Sequence, residues 1–314
     1  MIPRVLILTG STASGKSDLA FELAASSPKI EIISCDSVQV YRHFNIGSAK
    51  PTSEELTRVR HHLVDIRNPN EEFTAGDFVK ETKFAIDHIR ERGGIPLIVG
   101  GTPFYLKALI LGMWDACEPN PEYRKTLEPL STAELYHELV KKDPTTKTTV
   151  TDRYRVIRAL EIIELTGQSV ETLKTNHQRK LHENPPAEQW QVIQVSRVAA
   201  ELAERIKLRS QKMIEAGLIE ETKQLASQYP NARALSSVGY AQVLDYLHGR
   251  KPEGREMRPG SAGLVDEITL ATRQLAKRQN TFFRGLQAQI PLSQINPDQD
   301  REKFWTEATP FVSD

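Results

Sequence analysis

The sequence predicts an α/β fold: a parallel sheet with helices on both faces, built around a phosphate-binding loop and carrying a helical insertion. Three observations predict it. Short apolar runs of the buried-strand type recur at "RVLIL", "EIIS", "IPLIVGG" and "WQVIQV". Helix-patterned segments separate them, and strands alternating with helices indicate a parallel sheet. Between the first run and the first helix stands "GSTASGKS", residues 10–17, with the spacing G-x-x-x-x-G-K-[ST].

In chain order, "RVLILTG" reads as a strand, and "SGKSDLAFELAASS" carries the helical apolar period from Leu19 through Leu23. "EIISCDS" is a second strand that ends in polar residues. "FTAGDFVKETKFAIDHIRERGG" is an amphipathic helix with Phe78, Ala85 and Ile89 on one side and a Gly-Gly stop. "IPLIVGG" is a third strand, and a helix follows from "TPFYLKALILG". The pattern changes near Asp115: "AELYHELVKK", "DRYRVIRALEIIELTG" and "VETLKTNHQRK" are helical, with no strand among them. "WQVIQV" restores the sheet, and long helices follow through "VDEITLATRQLAKRQNTFFRGL". The expected organisation is a core over 1–114, a helical insertion over 115–190, the rest of the core with basic helices over 191–290, and a tail over 291–314.

Composition narrows the function. Lys plus Arg and Asp plus Glu both number 41, so bulk charge does not drive nucleic-acid binding, although a local basic face can. The two cysteines, Cys35 and Cys117, are far apart and suit a reducing compartment. No apolar run approaches a membrane span, and the first residues already read as a core strand. A cytoplasmic chain with no membrane partner is expected.

Four features carry chemistry. In the loop Gly10, Ser11, Thr12, Ala13, Ser14, Gly15, Lys16 and Ser17, the glycines let backbone N–H groups turn inward as an anion nest. Lys16 adds a cation, Ser17 a hydroxyl ligand for Mg²⁺, and the following helix its N-terminal dipole. Asp36, in "DSVQVY", follows a strand and so points into the crevice at the strand ends; it can bind Mg²⁺, accept a proton, or simply form an Asp-Ser turn. Thr102, in "VGGTPFY", can serve as a helix cap, as a site hydroxyl, or both. That strand lacks the terminal Asp that a typical ATPase uses for Mg²⁺.

The fourth feature is basic. Arg273, Lys277, Asn280 and Arg284 share a narrow arc, with Ile268, Leu275, Phe282 and Leu286 opposite; the stripe suits a phosphate backbone or a solvated face. Arg155 and Arg158 stand one turn apart. So do Arg205 and Arg209, which could clamp a diphosphate or pair with Glu201 and Glu204.

Taken together, "GSTASGKS", "DSVQVYRHFNIGSAKP", "HHLVDI", "VGGTPFYLKAL", "DRYRVIRALEI", "SVGY" and "ATRQLAKRQNTFFR" resemble, in order, the tRNA dimethylallyltransferases of bacterial type. The chain departs from that family at Ser11, where proline is usual, and at Phe282 or Phe283, where tryptophan is common. Some eukaryotic relatives add a Cys/His zinc finger, which two cysteines outside the tail cannot supply.

The resemblance implies that the loop holds the diphosphate of dimethylallyl diphosphate with Mg²⁺ at Ser17, and that N6 of an adenosine beside the anticodon is alkylated. It implies Asp36 as base, with Lys16, Arg209 and Thr102 completing the catalytic group. Asp36, Ser37, Val38 and Gln39 would contact the extruded base and its neighbours, with Gln39 filling the vacated space. Arg124, Arg155 and Arg158 on the insertion, and Lys277, Arg278 and Arg284, would hold the anticodon stem-loop of the tRNA. Nothing calls for more than a monomer. The rival readings are a small-molecule kinase, a prenyltransferase of free adenine nucleotides, and a GTPase switch; no N-K-x-D motif supports the last.

Overall fold

The computed structural model describes residues 5–113, 117–183, 190–250 and 258–311. The chain divides into two compact units: Met1–Leu109 with Glu188–Asp314, and Ile110–Ala187. The expected insertion start at 114–115 lies outside the described residues.

The first unit opens with β1 (Val5–Thr9), α1 (Lys16–Ala25), β2 (Ile30–Ser34), α2 (Ser53–Arg58), β3 (His61–His62), α3 (Ala75–Glu91) and β4 (Ile95–Gly100). Apolar side chains fill β1 on both faces, which marks a central strand of a covered sheet. Capping boxes start α2 at Thr52 and α3 at Thr74: each threonine hydroxyl caps a backbone N–H three residues on, and Glu55 or Asp77 answers. The helix α4 (Pro103–Leu111) leads into the second unit.

That unit contains α5 (Pro121–Leu127), α6 (Thr132–Lys142), α7 (Arg153–Thr166) and α8 (Val170–Glu183). Leu127, Leu135, Leu139, Val156, Ala159 and Leu160 form its own small core.

The first unit resumes with β5 (Trp190–Val195), α9 (Ala199–Glu215), α10 (Leu218–Gln228), α11 (Tyr240–Leu247), α12 (Gly260–Gln287), β6 (Ser293–Ile295) and α13 (Arg301–Ala308). The sheet order is β3-β2-β4-β1-β5-β6, with every pairing parallel. Because β2, β4 and β1 are neighbours, the segments after their carboxyl ends meet at one edge of the sheet, where open α/β sheets bind ligands.

Two expectations need correction. The stretch after 290 is not a bare tail: β6 pairs with β5, and Ile295, Phe304 and Ala308 join the main core. Three strand residues are too few to show a period, so the sequence conceals them. On α12, Phe283 rather than Phe282 enters the core with Ile268, Thr272, Ala276 and Leu286; Phe282 and Leu275 are half-buried. The buried face is therefore rotated slightly from the one that the largest side chains suggest.

Candidate active site

The loop after β1 is shaped by its backbone. Gly10 has φ 151°, and a Cβ there would lie 2.3 Å from the Val195 carbonyl oxygen at the end of β5. Gly15, at φ 95°, turns the chain into α1, and Ala13 also takes a positive φ of 62°. The Ser14 hydroxyl is buried and has no hydrogen-bonding partner among the described residues. These features match a nest open to an anion at a helix N-terminus.

Lys16 reaches back over the loop and donates to the Ser11 carbonyl at 3.3 Å. Loss of water and the nearby Arg209 guanidinium lower its pKa to about 8, against the opposing pull of Asp36. Burial also lowers the pKa of Arg209, again with Asp36 opposing. Lys16, Arg209 and Asp36 thus form one electrostatic group. Arg209 makes no hydrogen bond to another described residue.

Asp36 sits just past β2, where its Oδ1 accepts from the N–H groups of Val38 (2.8 Å) and Gln39 (3.2 Å). The turn reading is therefore correct, and it fixes the carboxylate while leaving Oδ2 without a hydrogen bond among the described residues. Ser37 is exposed on the same turn.

The glycines of "VGGT" bring β4 against this turn. A Cβ on Gly100 would lie 2.0 Å from the Cys35 carbonyl oxygen, and one on Gly101 would meet Gly10 O at 2.9 Å and Lys16 Nζ at 3.3 Å. Thr102 donates its backbone N–H to Cys35 O at 3.4 Å, which sets it beside Asp36. Its own carbonyl receives the first N–H groups of α4, and its hydroxyl is without a partner among the described residues. Burial pushes the intervening Cys35 thiol well up, so it stays neutral.

Three contributors escaped the sequence reading. Gln279 of α12 accepts from Thr12 N at 2.9 Å and donates to Gly101 O at 2.7 Å, bridging the loop and the β4 end. Arg197 donates to Ser14 O at 2.9 Å and pairs with Asp298. Glu221 organises the 45–47 segment, as described below. Of the Arg205–Arg209 pair, Arg205 holds Ala13 O at 3.0 Å and Asp18 at 3.3 Å rather than Glu201 or Glu204, and both arginines line the cleft described next.

Beside the loop lies an open cleft of about 840 Å³. Lys16, Ser17 and Arg209 line one part of it, and Ile46, Leu208, Met213 and Ala216 give it apolar wall. The Ser17 hydroxyl is exposed at the start of α1. No cluster of three His, Cys, Asp or Glu residues able to hold a metal exists among the described residues.

Other expected contacts divide. Gln39 accepts from Ser34 Oγ at 2.9 Å and donates to Ser48 O and Ala49 O at 3.3 and 3.1 Å, which fixes its side-chain amide against the 48–49 segment. Lys277, Arg278 and Arg284 are exposed on α12, as is Arg273.

In the second unit Arg124 and Arg158 both spend their guanidinium groups on Glu161, whose side chain is 0% exposed. Arg124 makes the two-pronged contact at 2.8 and 2.9 Å, and Arg158 also holds Cys117 O. Only Arg155 of the three leaves its head largely in solvent, with a loose 3.3 Å pairing to Asp152. An isolated carboxylate cannot be buried without such partners, which is why the two arginines are drawn inward.

The IPP transferase family model matches residues 39–286. A tRNA dimethylallyltransferase of Citrifermentans bemidjiense is 42% identical over 287 residues, 89% of each chain. The crystal structure of a tRNA isopentenylpyrophosphate transferase from Bacillus halodurans is similar with a TM-score of 0.67 at 32% identity, covering 99% of this chain and 95% of that one. A eukaryotic dimethylallyltransferase described as acting on tRNA aligns at a TM-score of 0.76 and 26% identity, over 98% of this chain and 77% of its own. A family model that matches most of the chain, with a relative 42% identical over 89% of it, means that the chain belongs to the IPP transferase family.

Proposed function

We propose that the chain transfers a dimethylallyl group from dimethylallyl diphosphate to the exocyclic N6 of an adenosine beside the anticodon of tRNA, releasing diphosphate. The observation that carries this reading is the grouping of Asp36 with Lys16 and Arg209 beside a phosphate-type loop whose β4 neighbour ends in Gly-Gly-Thr instead of an acidic residue. A proton acceptor next to two cations suits alkylation of a weak nucleophile with an anionic leaving group.

In the proposed step, N6 forms a bond to C1 of the dimethylallyl group as the C1–O bond breaks. The electron pair leaves with diphosphate, and the N6 proton passes to Asp36. Lys16, Arg209 and the N–H groups of the loop stabilise the charge growing on the diphosphate. The Thr102 hydroxyl, fixed beside the turn, is positioned to hydrogen-bond a reacting group. Mg²⁺ fits this chain through the exposed Ser17 hydroxyl, since Mg²⁺ takes few protein ligands and completes its shell with water and phosphate oxygens. When bound it would neutralise leaving-group charge.

The exposed cations of α12 and the head of Arg155 are the groups free to meet a phosphate backbone. No helix among the described residues is long and apolar enough to cross a membrane. A monomeric, cytoplasmic enzyme is the form we propose.

The test is incubation with Mg²⁺, radiolabelled dimethylallyl diphosphate and unmodified tRNA, with adenosine monophosphate as a parallel acceptor. Label in tRNA supports the reading. Label only in the mononucleotide moves the enzyme to free-nucleotide chemistry, and ATP consumption without label in either acceptor returns the loop to the kinases.

A further inference from the structure

We propose that Ile46 is the stop that measures the hydrocarbon tail of the donor, and that Glu221 and Tyr240 hold it in place. This rests on the reading of the cleft as the donor site. The Glu221 carboxylate accepts from three consecutive backbone N–H groups, those of Asn45 (3.2 Å), Ile46 (2.9 Å) and Gly47 (3.2 Å). It also accepts from the Tyr240 hydroxyl at 2.7 Å. Hydrogen bonds to a charged acceptor are about twice as strong as neutral ones, so the 45–47 segment is anchored at its backbone.

Tyr240 completes the anchor. Its side chain is fully buried, and its ring meets Phe44 edge-on with centroids 5.0 Å apart. Gly47 crosses that ring so closely that a Cβ would lie 2.4 Å from it. The backbone of the segment is thereby pinned from both sides, and Ile46 is held as a fixed wall of the cleft.

Opposite stands α9. Its cleft-lining face passes from Arg209, beside Lys16, to Met213 one turn later and Ala216 near the helix end. Seven residues at 1.5 Å of rise place Ala216 roughly 10 Å along the axis from Arg209. A diphosphate held at Lys16 and Arg209 therefore sends its tail toward Met213, Ala216 and Ile46. The tip of Ile46 (Cδ1) lies 4.0 Å from where a Cβ on Gly217 would stand, so it abuts the corner between α9 and α10. A pocket wall rejects extra methylenes only if it cannot yield, and the Glu221 anchor supplies that rigidity.

The test compares dimethylallyl and geranyl diphosphate as donors to unmodified tRNA. Wild-type enzyme that transfers from neither donor overturns the functional reading, independently of the proposal. With transfer established, Ile46→Ala is expected to raise the geranyl-to-dimethylallyl ratio of kcat/KM by about tenfold or more. Glu221→Gln is expected to move the ratio the same way, chiefly through donor KM. Tyr240→Phe, which removes one hydrogen bond to the carboxylate and keeps the ring, is the milder lock variant if Glu221→Gln melts early. A merely structural role would lower both donors alike. An unchanged ratio in Ile46→Ala with a native melting temperature overturns the proposal.

Discussion

The side-chain carbonyl of Gln279 accepts a hydrogen bond from the backbone N–H of Thr12 at 2.9 Å, tying the last long helix to the first loop of the chain. The same amide donates to Gly101 O at 2.7 Å. One side chain thus sets the spacing between the proposed diphosphate nest and the Thr102 strand end. Gln279→Ala leaves both backbone groups without their partner, at a cost of about 1–3 kcal/mol. Donor KM is expected to rise by up to roughly five- to 150-fold on that scale. Gln279→Glu keeps the acceptor for Thr12 but loses the donor and adds negative charge beside the leaving group, so its loss is expected to be larger. Steady-state kinetics on both variants check the order.

Asp36→Asn separates two duties of one side chain. The amide oxygen can still accept from Val38 and Gln39, so the turn is retained, while the proton acceptor is lost. The expected result is a fall in kcat of about 10²–10⁴-fold, the range of general-base catalysis. Affinity for tRNA is expected to be unchanged within about twofold, because the turn and its neighbours keep their positions. Single-turnover rates measured beside filter-binding affinities make the comparison.

Glu161 predicts how the second unit fails. Burial alone would raise its pKa, yet hydrogen bonds from Arg124, Arg158 and Asn120 N hold it below the usual carboxylate value. A carboxylate depressed on folding stabilises the native state fully above its unfolded pKa, and that contribution is lost as pH falls through the lower folded value. Acid unfolding of wild type is expected to include this loss, and Glu161→Gln to remove it. At neutral pH the variant is expected to cost about 2–4 kcal/mol, somewhat under a fully buried pair because both guanidinium groups keep partial contact with water. Arg155→Ala, by contrast, is expected to leave melting unchanged and weaken tRNA binding. Thermal melts across pH, with binding assays, separate the two arginine roles.

The readability of the molecule followed its physics. The loop at 10–17, Asp36 and Gly100–Thr102 could be read because each demands particular residue types at fixed places after a strand. The strands β3 and β6 have two and three residues and could not, since no period exists at that length. Arg124 and Arg158 look like surface cations until Glu161 is found on the buried side of α7, and a lone acid among "ALEII" was the available signal. Gln279 left a similar trace. It lies on the face that Ala276 and Phe283 bury, where a polar residue calls for a partner, but nothing in the sequence says that the partners are Thr12 and Gly101.

Lys16 is expected to set the alkaline limit of the reaction. Its pKa of about 8, lowered by loss of water and by Arg209, means that the free enzyme loses this cation as pH rises through that value. The kcat/KM for the donor, which reports the free enzyme, is therefore expected to fall above about pH 8. Stability moves the other way. Between the folded value of about 8 and the ordinary lysine value of 10.5 the unfolded chain binds the extra proton, so the native state gains stability as pH rises through that window. A bound diphosphate opposes the deprotonation, so the alkaline limb of kcat is expected to lie higher than that of kcat/KM. Lys16→Arg, whose charge persists, is expected to lower activity through changed geometry yet to flatten the alkaline limb. A pH profile in which wild type and Lys16→Arg fall in parallel would assign the limb to another group.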